Sequence, residues 1–246
     1  MTLRISTLAE RPDLADTLWD MPNPWPEFML NDLLAGLYYT VATSDFADHV
    51  LVAVDEDEPG TIVARAFAVP FERPDGDLPD GGWDTAVRWG TTTRRRGATP
   101  NAISALEITI REDLQGGGLS KQMLAAMRAN AARLGFTELL APVRPNQKHL
   151  EPRTPMAEYA FRTREDGLPY DAWLRVHVRA GAKIVKVAPR SMVVPGTLAE
   201  WREWTGLPFD RSGPVEVPRA LAPVHVDLDQ DHAVYVEPNV WVSHPL

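Results

Sequence analysis

No cysteine occurs among the 246 residues, which excludes disulfides, thiolate nucleophiles and cysteine-ligated metal sites. Nor is there an apolar run of about 18 residues, the length a membrane-spanning helix needs. The N-terminus, MTLRISTLAERPDL, lacks the apolar segment of a secretory signal. Positive charge is scarce too: 25 lysines and arginines stand against 34 aspartates and glutamates, and the net charge of −9 disfavours a nucleic-acid partner. These absences lead us to expect a cytoplasmic protein with neither a membrane nor a nucleic acid to bind. What remains is 44% hydrophobic, enough to bury a full core.

A metal centre is not expected either. Asp55 to Glu58 are four acids in a row, but they fall between two strand-like runs, where such clusters form a solvated turn. His225 and His232 are seven apart with Asp227, Asp229 and Asp231 between them, which reads as polar strand faces joined by an acidic turn.

Residues 106–140, LEITIREDLQGGGLSKQMLAAMRANAARLGFTELL, hold the most information. Ile103 to Ile110 alternates as a strand, with Leu106, Ile108 and Ile110 on one face and Ala105, Glu107 and Thr109 on the other. Gln115-Gly116-Gly117-Gly118-Leu119-Ser120 then turns into a helix whose apolar positions recur at helical spacing and which Gly135 ends. Thr137 to Val143 reads as the next strand. Glycines at a helix N-terminus let consecutive N–H groups point outward, and the helix dipole favours an anion there. The bland alternative is a flexible glycine tip on an ordinary strand–turn–helix connection. A Walker A loop is excluded, because Leu119 follows Gly118 and Lys121 comes too late. A dinucleotide fingerprint is excluded as well, since Lys121 stands where its third glycine belongs.

Elsewhere, 11–21 and 25–39 read as two helices broken by Pro22, Pro24 and Pro26. His49 to Val54 and Thr61 to Phe71 read as a hairpin. Glu72 to Asn101 is rich in Pro, Gly and Asp and reads as a long loop carrying Trp83, Trp89 and the triplet Arg94-Arg95-Arg96. It suits an acceptor lid or a mobile surface loop, and the triplet suits either a phosphate contact or a solvated cluster. The exposed tryptophans hint at an acceptor with apolar or aromatic character. A second insertion covers 149–169, and a helix covers 170–182. The tail supplies further strands and a short helix, 198–205, that Thr197 caps.

Gln115, Gly118 and Ser120 resemble the Gln/Arg-x-x-Gly-x-Gly/Ala pyrophosphate loop of the GCN5-related N-acetyltransferase (GNAT) superfamily, with Ser120 departing from Gly/Ala. The order of helices, meander and strand–loop–helix–strand is similar as well. The resemblance implies an α/β fold, a mixed central sheet flanked by helices with a β-rich C-terminal extension. We expect an acyltransferase domain over 1–195, with the insertions 72–101 and 149–169, and an extension over 196–246 packed on it. It implies acetyl-CoA or another acyl-CoA as co-substrate, no metal, and transfer of a short acyl group to an amine of a small molecule or peptide by direct attack. Residues Gln115, Gly116, Gly117, Gly118, Leu119 and Ser120 would take the pyrophosphate, backbone groups of Ile108 and Ile110 the pantetheine arm, and Asn146 the pantetheine or the following loop.

Where many members carry a tyrosine beside the thioester sulfur, this chain has His177, four residues before Gly181. An imidazole there, with an ordinary pKa near 6.5, donates or accepts a proton at neutral pH; the other reading is an inert structural histidine. Glu107 is the candidate general base through water, or else an ion-paired strand residue. The pattern Asp171, Leu174, His177, Gly181, Ala182 is also similar to the GNAT-like domains of some polyketide loading modules. That implies an alternative, malonyl-CoA decarboxylation and acyl transfer to an acyl carrier protein, with Thr154 and Arg190 as candidate partners. A third reading is a non-catalytic acyl-CoA-binding protein.

Overall fold

The computed structural model describes residues 2–58 and 60–246. Pro59, in the acidic turn, lies outside the described residues. Nine strands form one mixed sheet: β1 (Leu3–Thr7), β2 (Val50–Asp55), β3 (Ile62–Phe71), β4 (Ala102–Ile110), β5 (Glu138–Val143), β6 (Lys183–Thr197), β7 (Gly213–Val215), β8 (Val224–Asp227) and β9 (His232–Pro245). Their order is β1-β2-β3-β4-β5-β9-β8-β7, with β6 on the remaining edge of β9. All neighbours are antiparallel except β4 and β5.

Helices cover both faces. On one lie α1 (Glu27–Leu30), α2 (Leu33–Asp45), α3 (Gly82–Arg96) and α7 (Leu198–Thr205), burying Phe28, Tyr38, Trp83 and Trp201 against the sheet. On the other lie α4 (Leu119–Arg133), α5 (Met156–Tyr159) and α6 (Ala172–Arg179), burying Met123, Met127, Tyr159 and Leu174. Thr197 caps α7 as the sequence leads one to expect, and Glu200 completes a reciprocal capping box with it.

The N-terminal reading needs correction. Residues 3–7 are an edge strand, 12–14 and 17–19 are single 3-10 turns, and the main helix starts only at Leu33. The prolines stop regular structure up to Pro26, and Asp32 restarts it by accepting the Ala35 N–H at 2.8 Å.

Half of the expected loop at 72–101 is the helix α3. Its Gly, Thr and Trp residues are weak helix formers, but Trp83, Ala86, Val87, Gly90 and Thr93 recur at helical spacing and are buried. The arginine triplet fills its last turn, where the helix dipole favours cations, and Gly97 closes it at φ 62°. Trp83 is therefore core rather than lid, and Trp89 packs on Phe71. The 149–169 segment is likewise packed, with Met156 and Tyr159 buried.

Close approach seats α3 on β3 at Gly90, where a Cβ would come within 2.1 Å of Val69 Cγ2 and 3.2 Å of the Pro70 carbonyl. Gly90→Ala should cost about 1–3 kcal/mol in urea denaturation. An unchanged midpoint would mean that the helix is not held this tightly.

Candidate active site

Strand β4 departs from its expected alternation, and the site begins there. Phe67 of β3 pairs with Glu107 and Ala68 with Ala105, so Leu106 is an extra residue, a β-bulge. Beyond it the faces swap: Leu106 packs with the α2/α3 layer, while Ile108 and Ile110 pack with the α4 layer. Trp83 Nε1–H donates to the Leu106 carbonyl at 3.2 Å. Strand β5 pairs with β4 only at Ser104 and Leu140, and past that point the two separate. On its far edge β5 is held by β9 from Glu138 to Val143, so it does not follow β4.

A cavity of about 800 Å³ fills the separation. Gln115, Gly116, Leu119, Ser120 and Asn146 line it, as do Glu107, Ile108 and Ile110 of β4 and His177 of α6. Gly117 lines an adjoining groove with Leu3 and Gln122, and Gly118 is the N-cap of α4. Thr154, Arg190 and the arginine triplet do not line the cavity. Among the described residues, no three His, Asp or Glu side chains come together to hold a metal, and no helix is long and apolar enough to cross a membrane.

The glycine loop is built for close approach. Gly116 and Gly118 take φ values of 78° and 84°, which side-chain-bearing residues rarely adopt, and the space where their Cβ atoms would stand is open. Among the described residues, the N–H groups of 116–120 have no hydrogen-bond partner. Gln115 Nε2 donates to the Ile110 carbonyl at 3.2 Å and ties the loop to the end of β4. Free N–H groups at the start of a 15-residue helix fit a pyrophosphate.

Glu107 is buried and fully engaged. Its carboxylate accepts from Arg65 Nε at 3.2 Å, Tyr39 Oη at 2.5 Å and Thr109 Oγ1 at 2.6 Å. Arg65 donates onward to the Leu18 carbonyl and lies over the Trp19 ring. A second held carboxylate, Glu237, accepts from Arg144 Nε at 2.9 Å, Tyr235 Oη at 3.0 Å and Asn239 Nδ2 at 3.0 Å. It lies on β9 between the stretches that pair with β8 and β5. Behind it, Asp32 Oδ2 and Asp84 Oδ1 are buried without a partner. Burial raises both carboxyls, Asp84 to about 8 with Asp32 adding repulsion.

His177 forms part of the cavity wall, but its environment differs from expectation. It is 3% exposed, Trp173 meets its ring edge-on, and its Nδ1 lies 2.9 Å from Nε2 of His244, which is 0% exposed. Burial, and to a lesser degree His244, push the His177 pKa down to about 3; burial and Arg128 push that of His244 to about 4. Both rings are neutral at pH 7, so His177 does not exchange a proton there as an ordinary imidazole does. Sequence reading missed His244, Tyr39, Arg65 and Glu237. Each reaches its partner across a separation in the chain or through register, as with the two histidines, 67 positions apart.

A parallel strand pair thus separates over a cavity with the glycine loop at its mouth. No family model matches the chain. The chain is 34% identical to the arginine N-acetyltransferase avaD of Aspergillus versicolor, with 98% of this chain and 93% of that protein covered. Among solved structures, the loading GNATL domain of CurA from Lyngbya majuscula superposes with a TM-score of 0.57 at 20% identity, over 99% of this chain and 96% of that one. The GphF GNAT-like decarboxylase in complex with isobutyryl-CoA gives 0.53 at 17%, over 100% and 99%. These two likenesses concern the fold. The chain belongs to the GCN5-related N-acetyltransferase superfamily and is an acyl-CoA-dependent acyltransferase.

Removing Arg65 would strand the Glu107 charge, so Arg65→Met should cost about 3–5 kcal/mol in denaturant. Adding Glu107→Gln should recover part of that loss, and additive losses would refute the coupling. Asp84 keeps a proton in the folded protein from near its ordinary value of 3.8 up to about 8, a range in which the unfolded chain has lost it. Stability should therefore fall as pH rises through that window. Asp84→Asn should gain on the wild type in Tm at pH 8 relative to pH 5, and parallel profiles would contradict the raised carboxyl.

Proposed function

We propose that this enzyme transfers an acetyl or other short acyl group from coenzyme A to a nitrogen of arginine or a similar small basic molecule. What carries the reading is one continuous cavity in which the glycine loop, the separated strands and an aromatic wall of Trp25, Tyr39 and Trp83 all take part. The name of the 34% identical relative supports arginine as the first acceptor to try.

In this reading the pyrophosphate takes the N–H groups of 116–120, and the pantetheine arm lies between β4 and β5 against backbone groups of Ile108 and Ile110, as an added strand would. Asn146 borders the arm. The acceptor nitrogen attacks the thioester carbon, a C–N bond forms, and a backbone N–H near Ile108 stabilises the oxyanion. The C–S bond then breaks, and the thiolate takes the proton that the new ammonium loses. Glu107 is buried and committed to three donors. We assign it to holding Tyr39 at the cavity wall, with Arg65 behind it, in place of the base role expected. His177 acts as a neutral hydrogen-bonding group beside the acyl site.

The alternative, decarboxylation of malonyl-CoA with transfer to an acyl carrier protein, finds less support. His177 is in the cavity, but its candidate partners Thr154 and Arg190 lie away from it. Thr154 Oγ1 donates to Glu151, and the Arg190 N–H donates to the Asp80 carbonyl.

Purified protein with acetyl-CoA and arginine should release free coenzyme A and gain an acetyl-arginine product by mass. Gly118→Ala, placing a methyl group in the open loop, should keep the fold by circular dichroism and weaken acetyl-CoA binding about tenfold or more. Carbon dioxide from malonyl-CoA without acetyl transfer would move the assignment to the decarboxylase. Acyl-CoA binding with turnover of neither would leave a binding protein, and no binding would overturn the loop reading.

A further inference from the structure

Two buried imidazoles in contact raise a question of proton placement. A neutral imidazole carries one N–H and one lone pair, so across the 2.9 Å between His177 Nδ1 and His244 Nε2 one nitrogen must donate and the other accept. The remaining nitrogens, His177 Nε2 and His244 Nδ1, are both buried without a partner.

If His177 donated, His244 Nδ1 would carry the other N–H within the field of a cation. Arg128 of α4 donates from Nη2 to the carbonyl of Pro245, next to His244, at 3.0 Å; its Nε–H is buried and unpaired, and its charge acts on the His244 ring. A donor facing a guanidinium gains nothing there, whereas a lone pair does. If His244 donates, its Nδ1 keeps a lone pair in the field of the Arg128 charge, and His177 must carry its own hydrogen on Nε2.

We propose that His244 is a positioning residue: its Nε2–H donates to His177 Nδ1 and fixes His177 as the tautomer that offers Nε2–H to the acyl site. The surroundings make this a rigid arrangement. Trp173, one turn back on α6, meets the ring edge-on at 4.7 Å between centroids. The His177 carbonyl accepts the N–H groups of Ala180 and Ala182 as the helix closes at Gly181, φ 91°. His244 itself sits opposite Leu139 in the β5–β9 ladder, a position set by strand register rather than by a loop.

In chemical terms, and resting on the acyl-transfer reading, the Nε2–H steadies negative charge as it develops on the thioester during C–S cleavage. No proton leaves the imidazole. The acceptor's ammonium supplies the thiol proton, and both histidines end the reaction neutral as they began it. This role uses the low basicity of the pair: a protonated His177 would repel an acceptor cation and break the contact with His244.

The test is nitrogen-15 correlation spectroscopy of the histidine rings in the full chain, with the two rings assigned from His177→Gln and His244→Gln. Both rings should report Nε2–H, and a His177 ring protonated on Nδ1 would overturn the proposal whatever the activity. Kinetics add a second readout. His244→Leu, which cannot donate, should lower kcat about tenfold or more and leave the KM for acetyl-CoA within about twofold. His244→Gln, whose amide can donate to Nδ1, should restore most of the lost kcat. Equal losses in the two variants would mean that the ring is merely structural. Wild-type protein with both rings in the expected tautomer but no transfer activity would fail the acyl-transfer reading and leave the proton placement standing.

Discussion

The site depends on one constraint: β4 and β5 begin as a parallel pair and cannot remain one. The bulge at Leu106 bends β4 after a single paired position, Ser104 with Leu140, while β9 holds β5 along its other edge. Trp83 fixes the bulge from the helical layer through the Leu106 carbonyl. Glu107, immediately after it, is anchored by Arg65, Tyr39 and Thr109. Backbone hydrogen-bonding groups are seldom left bare inside a protein. Where two strands separate, an extended ligand arm is the natural partner.

The distribution of satisfied and free polar groups follows from that geometry. Both carboxylates on the cavity wall, Glu107 and Glu237, are saturated by arginine, tyrosine and side-chain donors. Such buried pairs contribute little net stability, but they are costly to break, and so they fix shape. The histidines are neutral and paired with each other. Unused donors are concentrated in the N–H groups of 116–120, at the positive end of α4. Across the cavity from the loop stand the aromatic rings of Trp25, Tyr39 and Trp83 and the two held carboxylates.

The tail of the chain is integral to this arrangement. Strand β9 bridges β5, β6 and β8, and its stretch between the two pairings on one edge brings Glu237 and Asn239 to the cavity. His244, near its end, reaches under α6 to His177. The cavity is thus lined from both halves of the chain, with β4 and the glycine loop from the first, His177 from the second, and Glu237 and Asn239 from the last fifteen residues.

Residues 102–143 were legible because their signals are local. Alternation, three glycines and helical spacing give strand, loop and helix without reference to the rest of the chain, and the loop carries the family resemblance. Helix α7 announced itself through its cap, Thr197, in the same way. Helix α3 did not, because its residues are poor helix formers and its buried stripe gains meaning only when β3 is there to receive it. The bulge at Leu106 was hidden for a related reason: it is a property of two strands in register, and the sequence of one shows only alternation. His177 was placed correctly on a helix, but an imidazole's charge depends on who surrounds it. The sequence by itself determined the anion loop and the strands beside it, since backbone geometry and glycine suffice for those. Only the tertiary structure decided the parting of the strands, the engagement of Glu107 and the pairing of His177 with His244, because burial, register and contacts between distant segments set them.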